Sequence, residues 1–164
     1  MIRVGVIGAA GRMGLMVCRA VADADDLALV AAIDRSKVGQ NEGALIGHSE
    51  IAVPISDELD RLLEAEAEVA IDFTHPDVAM DNIRFCIDHA IHLVVGTSGI
   101  SQEDLQEIER MLRDERLVVM LDWDLAGPGS RLWDIAYAAY TFVPIAVMVV
   151  YLLVAKRLGA FESL

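Results

Sequence analysis

The stretch VGVIGAAGRMG, residues 4–14, decides the fold of this chain. Three of its glycines, Gly8, Gly11 and Gly14, lie at three-residue spacing after the apolar run IRVGVI, which predicts a short buried strand. The residues that follow, LMVCRAVA, predict a helix. A strand, a glycine turn and a helix in this order are typical of a phosphate-binding site, because free backbone N–H groups at a helix start attract anions.

Strand-like and helix-like segments alternate from this turn to about residue 120. Further strands are predicted at residues 27–33, 69–73, 91–95 and 117–121, and helices at 57–66, 77–89 and 102–113. Ser56 and Ser101 are the predicted N-caps, Pro76 suits a first helical turn, and residues 36–50 predict a polar loop. Apolar strands that are each followed by a helix predict an α/β fold, a doubly wound, Rossmann-like and mostly parallel sheet.

Composition narrows the class of protein. The 164 residues suffice for one domain with a real core, and the formal net charge of −13 argues against a general nucleic-acid-binding surface. Two distant cysteines, Cys18 and Cys86, both lie in apolar helical patterns, so we expect buried free thiols. No secretory signal pattern is visible at the N-terminus. These features together predict a cytoplasmic protein.

Further candidate binding residues follow the predicted strands. Asp34 comes twenty residues after Gly14, directly after the second strand, where an acidic side chain can accept hydrogen bonds from an adenosine ribose. Arg35 beside it suits a 2′-phosphate instead, so NAD and NADP both remain open. The segments IDFTHP (71–76) and VVGTSG (94–99) place small or hydroxylated residues at the ends of two more strands, where open α/β sheets bind ligands.

Four of these segments together resemble one known family. VGVIGAAGRMG, AAIDR, DFTHPDVAMDNIRFCIDH and VVGTSG, in this order, are similar to the N-terminal half of the 4-hydroxy-tetrahydrodipicolinate (dihydrodipicolinate) reductases, over about residues 1–120. The resemblance implies an oxidoreductase of lysine and diaminopimelate biosynthesis, with NADH or NADPH as cofactor and a small cyclic dicarboxylate as substrate. It also implies three groups of cofactor-binding residues: the pyrophosphate turn of Gly8, Ala9, Gly11, Arg12 and Met13; Asp34 and Arg35 at the adenosine ribose; and Phe73, Thr74, Gly96, Thr97 and Ser98 on the nicotinamide side.

The sequence departs from the family after residue 121. The family continues with an Asn-Phe loop, a His-His pair, a catalytic lysine and a Gly-Thr anion site, and this sequence matches none of them. Its histidines are His48, His75, His89 and His92, and its lysines are Lys37 and Lys156. We therefore expect the chain alone to bind NAD(P)H with little or no reductase turnover, and we assign no catalytic residue and no metal ligand. A nucleotide-binding module without turnover is the alternative.

Residues 118–144 resemble a different family, the aminoglycoside phosphotransferase-like kinases. Asp122 would take the place of that family's magnesium-binding aspartate. A kinase also needs a lysine for the ATP phosphates and a catalytic Asp/Asn loop, and neither is visible, so phosphotransferase activity is not expected.

The predicted domains are therefore a dinucleotide-binding domain at 1–121 and, at 122–164, an atypical turn with apolar helices as a truncated start of the substrate domain. Residues 135–155 carry no charged side chain and are long enough to span a bilayer, which makes a membrane-attached protein a second alternative. Because Pro144 and three polar residues interrupt this run, we favour a buried or oligomer-forming helix pair. If the pair is oligomer-forming, the protein is a homo-oligomer through its apolar tail.

Overall fold

Parallel strands build the central sheet of the computed structural model, which describes residues 1–97, 99–112 and 117–121. Within these ranges the sheet has six strands: β1 (Ile2–Ile7), β2 (Leu27–Ile33), β3 (Ile55–Ser56), β4 (Val69–Asp72), β5 (His92–Val95) and β6 (Val119–Leu121). The helices are α1 (Arg12–Ala22), α2 (Glu42–Ile46), α3 (Arg61–Glu64), α4 (Pro76–Asp88) and α5 (Gln102–Leu112). The alternation of strand and helix confirms the predicted α/β fold with a doubly wound parallel sheet.

The strand order is β3-β2-β1-β4-β5-β6, so the chain first builds outward from β1 in one direction and then in the other. The order reverses between β1 and β4, and open α/β sheets bind their ligands at this switch point. The strand ends are in register: Ile7 pairs with both Ile33 and Asp72, and Asp72 pairs with Val95. The residues that follow β1, β2, β4 and β5 therefore emerge at the same edge of the sheet.

Apolar side chains from the strands and α4 form the core. Val4, Val6 and Ile71 on the two central strands are fully buried, and Ile83 and Cys86 on α4 pack into the cluster that covers one face. Side chains buried on central strands explain why these segments read as continuous Val, Ile, Leu and Ala runs. Cys18 and Cys86 are both free and buried, as predicted, and burial raises the pKa of the Cys86 thiol to about 12.

Two predicted helix starts are confirmed. Pro76 stands in the first turn of α4. Ser101 caps α5, since its Oγ accepts the Asp104 N–H at 3.1 Å while the Asp104 carboxylate accepts the Ser101 N–H at 3.0 Å. This reciprocal pair is a capping box, with aspartate in the place of the usual glutamate.

The region between β2 and β4 was predicted wrongly. The helix expected at 57–66 is only the single turn α3, and Ser56 does not cap it: its Oγ accepts the Glu58 N–H at 3.1 Å in a turn before the helix. The loop expected at 36–50 contains α2, which is too short to show a period. The two-residue strand β3 gives no pattern either. Such short elements are fixed by tertiary packing and not by local sequence.

The predictions for residues 122–164, including the Asp122 site, the domain boundary and the apolar run at 135–155, lie outside the described residues. Among the helices that the structure describes, none is both long and apolar enough to cross a membrane.

A buried carboxylate lies between α1 and the loop after β2. The Glu42 side chain is fully buried, and no N–H or O–H group in the described part of the chain donates to its oxygens. Burial raises the pKa of Glu42 above its usual value of 4.5, although the Cys18 thiol and the Lys37 ammonium oppose this increase. The charged carboxylate therefore destabilises the folded domain.

Glu42→Gln is expected to stabilise the domain at neutral pH. Folding raises the pKa of Glu42 above its unfolded value of 4.5. Below that value the carboxyl group is protonated in both states, so its burial costs no electrostatic free energy. The cost develops as the pH rises through the folded pKa and the buried group becomes charged. We expect Glu42→Gln to raise the melting temperature by roughly 4 °C at pH 7 and not at all near pH 4. Thermal unfolding followed by circular dichroism checks this. The exposed Glu50, whose pKa is lowered by hydrogen bonding, is the control, since Glu50→Gln brings no gain. An equal gain for Glu42→Gln at both pH values would contradict the argument.

Candidate functional site

The β1–α1 turn lies at the switch point of the sheet, with Gly8 and Gly11 in the turn and Gly14 in the first turn of α1. Gly8 has a φ of +80°, and a Cβ built on it would lie 2.7 Å from the Phe73 carbonyl oxygen. A Cβ on Gly14 would overlap the Gly8 carbonyl oxygen and lie 2.7 Å from the Ala9 backbone. Both glycines are therefore required by the fold. Gly8 allows the positive φ of the turn, and Gly14 allows α1 to pack closely on the backbone of that turn.

Gly11 is different, because its backbone conformation does not require glycine. It has an ordinary extended conformation (φ −73°, ψ 167°) at the N-cap of α1. Among the described residues, a Cβ there would meet one atom, the Gly8 carbonyl oxygen at 3.2 Å, which must give by a few tenths of an ångström, and would otherwise project into open space. That open space lies at the start of α1, where the N–H groups of the first turn have no intrahelical acceptor.

The start of α1 is suited to an anion. Its first turn contains no acidic side chain, and the glycine N-cap offers no side-chain oxygen to the free N–H groups. Arg12, exposed, and Met13, half-buried, are the first two residues of the helix. Backbone N–H groups and the helix dipole both favour a negatively charged ligand at this position.

Asp34, directly after β2, is tied to the glycine turn. One of its carboxylate oxygens accepts the Ala10 N–H at 3.0 Å. The other accepts the Ser36 N–H at 2.8 Å and the Ser36 hydroxyl at 2.7 Å. The carboxylate is thereby fixed beside the turn. Two oxygens offer about four acceptor positions, of which three are used, so the carboxylate can accept one further hydrogen bond from a ligand. Arg35 next to it is exposed.

The loops after β4 and β5 meet on the other side of the switch point. The Thr97 hydroxyl donates to the Thr74 carbonyl at 3.0 Å. The Phe73 ring lies so close to Gly96 that a Cβ on that glycine would overlap the ring. Four of the five residues expected on the nicotinamide side are therefore brought together; the fifth, Ser98, lies outside the described residues.

A buried polar pair beneath these loops was missed by the sequence analysis. Asp72, the last residue of β4, is fully buried and accepts hydrogen bonds from the Thr74 N–H at 2.7 Å and the Asn82 amide at 2.8 Å. Burial raises the pKa of Asp72, and hydrogen bonds from the Thr74 side chain, the Asn82 amide and the Thr74 N–H oppose the increase. Two signals were present in the sequence: a charged residue ending an apolar strand, and Asn82 on the helix face that Ala79, Ile83 and Cys86 bury.

The described residues contain no group of three or more His, Cys, Asp or Glu side chains arranged to hold a metal ion. The site at the strand ends thus consists of an anion-binding turn, a fixed carboxylate and a pair of hydroxyl-bearing loops. This combination defines a dinucleotide-binding domain.

Comparison with known proteins identifies the family. Residues 2–122 match the family described as dihydrodipicolinate reductase, N-terminus. A 4-hydroxy-tetrahydrodipicolinate reductase of Thermosynechococcus vestitus is 41% identical over 112 residues, which are 65% of this chain and 41% of that protein. The enzyme of the same name from Nocardia farcinica is 41% identical over 111 residues, covering 68% of this chain and 37% of its own length.

A solved structure leads to the same family. The dipicolinate-bound dihydrodipicolinate reductase of Paenisporosarcina sp. TG-14 superimposes with a TM-score of 0.63 at 25% identity, over 75% of this chain and 47% of that one. The chain belongs to the dihydrodipicolinate reductase family, of which it contains the NAD(P)H-binding N-terminal domain. It spans about 40% of the length of the curated relatives it matches.

Proposed function

We propose that residues 1–121 bind NADH or NADPH across the switch point and that the bound cofactor serves the reduction of a small cyclic dicarboxylate. The observation that carries this proposal is Gly11, a glycine with an ordinary backbone conformation whose missing side chain leaves open space only at the anion-binding start of α1. A pyrophosphate placed there needs that space. The names of the relatives supply the substrate class, and the nicotinamide supplies the hydride when it is bound.

Each group of residues has a distinct role in the proposal. The turn of Gly8, Ala9, Gly11, Arg12 and Met13 surrounds the pyrophosphate. The N–H groups of Gly8, Ala9 and Gly11 donate to backbone carbonyl oxygens, so those of Arg12 and Met13, at the start of α1, are the donors to the phosphates. Asp34 accepts hydrogen bonds from the adenosine ribose. Phe73, Thr74, Gly96, Thr97 and Ser98 border the nicotinamide. What the described residues contribute to the reaction is binding and orientation, which alone account for a large part of enzymatic rate enhancement.

The adenosine side suits both cofactors. Asp34 favours the free ribose hydroxyls of NADH, and its negative charge opposes the 2′-phosphate of NADPH. The exposed Arg35 follows it directly and offers a guanidinium fork to that phosphate. We infer that the two neighbouring residues balance each other and that the chain binds both cofactors.

Asp34→Asn is expected to weaken NADH binding by about tenfold and to leave NADPH binding unchanged or tighter. The substitution removes the charged acceptor for the ribose and, with it, the repulsion of the 2′-phosphate. Arg35→Ala is expected to weaken only NADPH. Titration followed by the fluorescence of the reduced nicotinamide measures all four affinities.

The chain offers a matched control for this experiment. Asp57 is exposed and follows β3 as Asp34 follows β2, so Asp57→Asn makes the same charge change one strand further from the switch point. It should alter neither affinity. If the unmodified chain bound neither cofactor at millimolar concentration, the proposed function would be overturned.

Further proposals concern the substrate, the cellular location and the self-association of the protein. We propose a small dicarboxylate as the substrate partner, with pyridine-2,6-dicarboxylate as a suitable probe because a family member binds it. A cytoplasmic location is supported by the two free, buried cysteines, which are typical of reducing compartments. Self-association through residues 135–155 rests on the sequence pattern alone.

A further inference from the structure

Ser36 donates two of the three hydrogen bonds that the Asp34 carboxylate accepts. Its N–H donates to Oδ1 at 2.8 Å, and its hydroxyl donates to the same oxygen at 2.7 Å. The Ala10 N–H donates to the other oxygen, Oδ2, at 3.0 Å. Because a carboxylate oxygen accepts about two hydrogen bonds, Oδ1 is fully used by Ser36 and only Oδ2 has a position left for a ligand.

The hydroxyl contact is not needed to hold the loop. The Ser36 N–H alone closes the turn in which an aspartate side chain accepts from the backbone two residues further on. Ser36 is exposed, so water can replace Asp34 as the partner of its hydroxyl with little change in the free energy of unfolding. The contact has a larger consequence for binding, because it occupies an acceptor position on the carboxylate that is fixed beside the glycine turn.

The number of free acceptor positions matters because the two cofactors differ in their hydroxyl groups. The adenosine ribose of NADH has free 2′- and 3′-hydroxyls, whereas the 2′-oxygen of NADPH bears a phosphate and only its 3′-hydroxyl can donate. With one free position, the carboxylate accepts a single hydroxyl from either cofactor. With two free positions, NADH alone could donate a second hydrogen bond.

We propose that Ser36 is a specificity-determining residue, whose hydroxyl occupies one acceptor position of Asp34 and so denies NADH a second ribose hydrogen bond. This inference rests on the proposed function, since it needs the adenosine ribose beside Asp34. It assigns separate effects to the two residues that follow β2 and Asp34. Arg35 favours NADPH through the charge on its phosphate, and Ser36 limits the affinity for NADH.

Ser36→Ala removes the hydroxyl and leaves the backbone N–H contact to Asp34 in place. We expect the affinity for NADH to rise about fivefold and that for NADPH to change by less than about twofold. A residue that merely held the loop would give the opposite result, since its loss would weaken both cofactors. Fluorescence titration of the full chain measures both affinities, and circular dichroism gives the melting temperature of each variant.

Two further variants serve as controls. Ser36→Thr retains a hydroxyl and is expected to bind both cofactors as the unmodified chain does. Ser56 is also a neighbour of Asp34, since its carbonyl oxygen accepts the Asp34 N–H at 2.8 Å, but its hydroxyl oxygen accepts the Glu58 N–H. Ser56→Ala therefore removes a hydroxyl near Asp34 without freeing an acceptor position on the carboxylate, and it should alter neither affinity.

ADP and 2′-deoxy-ADP test the ribose contact without the nicotinamide. Only ADP has a second hydroxyl for the position that Ser36→Ala frees. We expect this variant to bind ADP about fivefold more tightly than the unmodified chain does and to bind 2′-deoxy-ADP with unchanged affinity. Calorimetric titration measures both, and a change in the loop that did not involve the ribose would move the two affinities together.

The possible outcomes are distinguishable. Unchanged or weaker NADH binding in Ser36→Ala would overturn the inference, as would an equal gain for NADH and NADPH or for ADP and 2′-deoxy-ADP. A loss confined to NADPH would also overturn it, because the hydroxyl would then be a donor to the 2′-phosphate. Each of these results leaves the proposed function standing as long as the unmodified chain binds the cofactors. Binding of neither cofactor by the unmodified chain would overturn both.

Discussion

Replacing Gly11 with valine is expected to abolish NADH binding while the domain stays folded. The backbone at Gly11 is extended, a conformation that β-branched residues adopt readily, and an added Cβ meets a single protein atom, 3.2 Å away. Replacing glycine with valine at an N-cap lowers the free energy of unfolding by about 1 kcal/mol. The two methyl groups would occupy the space at the start of α1 that a pyrophosphate needs, so we expect the affinity to fall by more than about 100-fold.

Calorimetric titration with NADH measures this loss, and the thermal unfolding curve shows whether the fold survives. Met16→Val is the matched control: it places the same side chain on α1, at a half-exposed position about one turn beyond Gly11. It should leave NADH affinity unchanged. Unaltered affinity in Gly11→Val would show that the turn is not a pyrophosphate site.

Much of the fold could be predicted from the sequence because the longer strands and helices have apolar patterns that can be recognised locally. Both β1 and β2 have the predicted bounds, and the apolar runs that became β4, β5 and β6 were placed to within two residues. Central strands of a parallel sheet are buried on both faces, which produces uninterrupted apolar runs. Strand order was not predicted, since it depends on pairing between distant segments that no local pattern encodes.

The region between β2 and β4 shows where such reasoning fails. The short helix α2 is held by Gly43, on which a Cβ would lie 2.5 Å from the His48 carbonyl oxygen, and by Asn41, whose side chain accepts the Val53 N–H at 3.0 Å. These contacts join residues five and twelve positions apart, and both of the partners lie beyond the end of the helix. A five-residue helix has little stability of its own, so its existence follows from this packing.

The loop residues of the candidate site could be predicted from the sequence, but its buried polar pair could not. Residues in the loops and turns after the strands, such as Gly8, Asp34 and Thr97, lie in short segments that could be recognised by their order in the sequence. Asp72 and Asn82 lie ten residues apart in a strand and a helix, and only the fold brings them within hydrogen-bond distance of each other. The different roles of Gly8, Gly11 and Gly14 in the turn, at the ligand and in helix packing could not be predicted, because their spacing is uniform and only their surroundings in the structure differ.

Gly14→Val is expected to do the opposite of Gly11→Val and to prevent the domain from folding. A Cβ at this position would overlap the Gly8 carbonyl oxygen and lie 2.7 Å from both Cα and O of Ala9, and backbone atoms cannot move aside as a flexible side chain can. Relief requires α1 to move away from β1, which would expose Val17, Cys18 and Val21 on its buried face.

The loss in the free energy of unfolding should be comparable to the whole stability of a domain of this size. Complete burial of an apolar side chain contributes about 1.5–3 kcal/mol, so displacing α1 forfeits several kcal/mol out of the 5–15 kcal/mol typical of a whole domain. We expect Gly14→Val to lack a cooperative thermal transition and to accumulate in the insoluble fraction, whereas Gly11→Val, three residues earlier, melts within a few degrees of the unmodified chain. A folded Gly14→Val variant that still bound NADH would show that α1 does not pack as closely on the glycine turn as the structure indicates. The pair of variants thus assigns one glycine to the fold and the other to the ligand, a division that equal spacing in the sequence conceals.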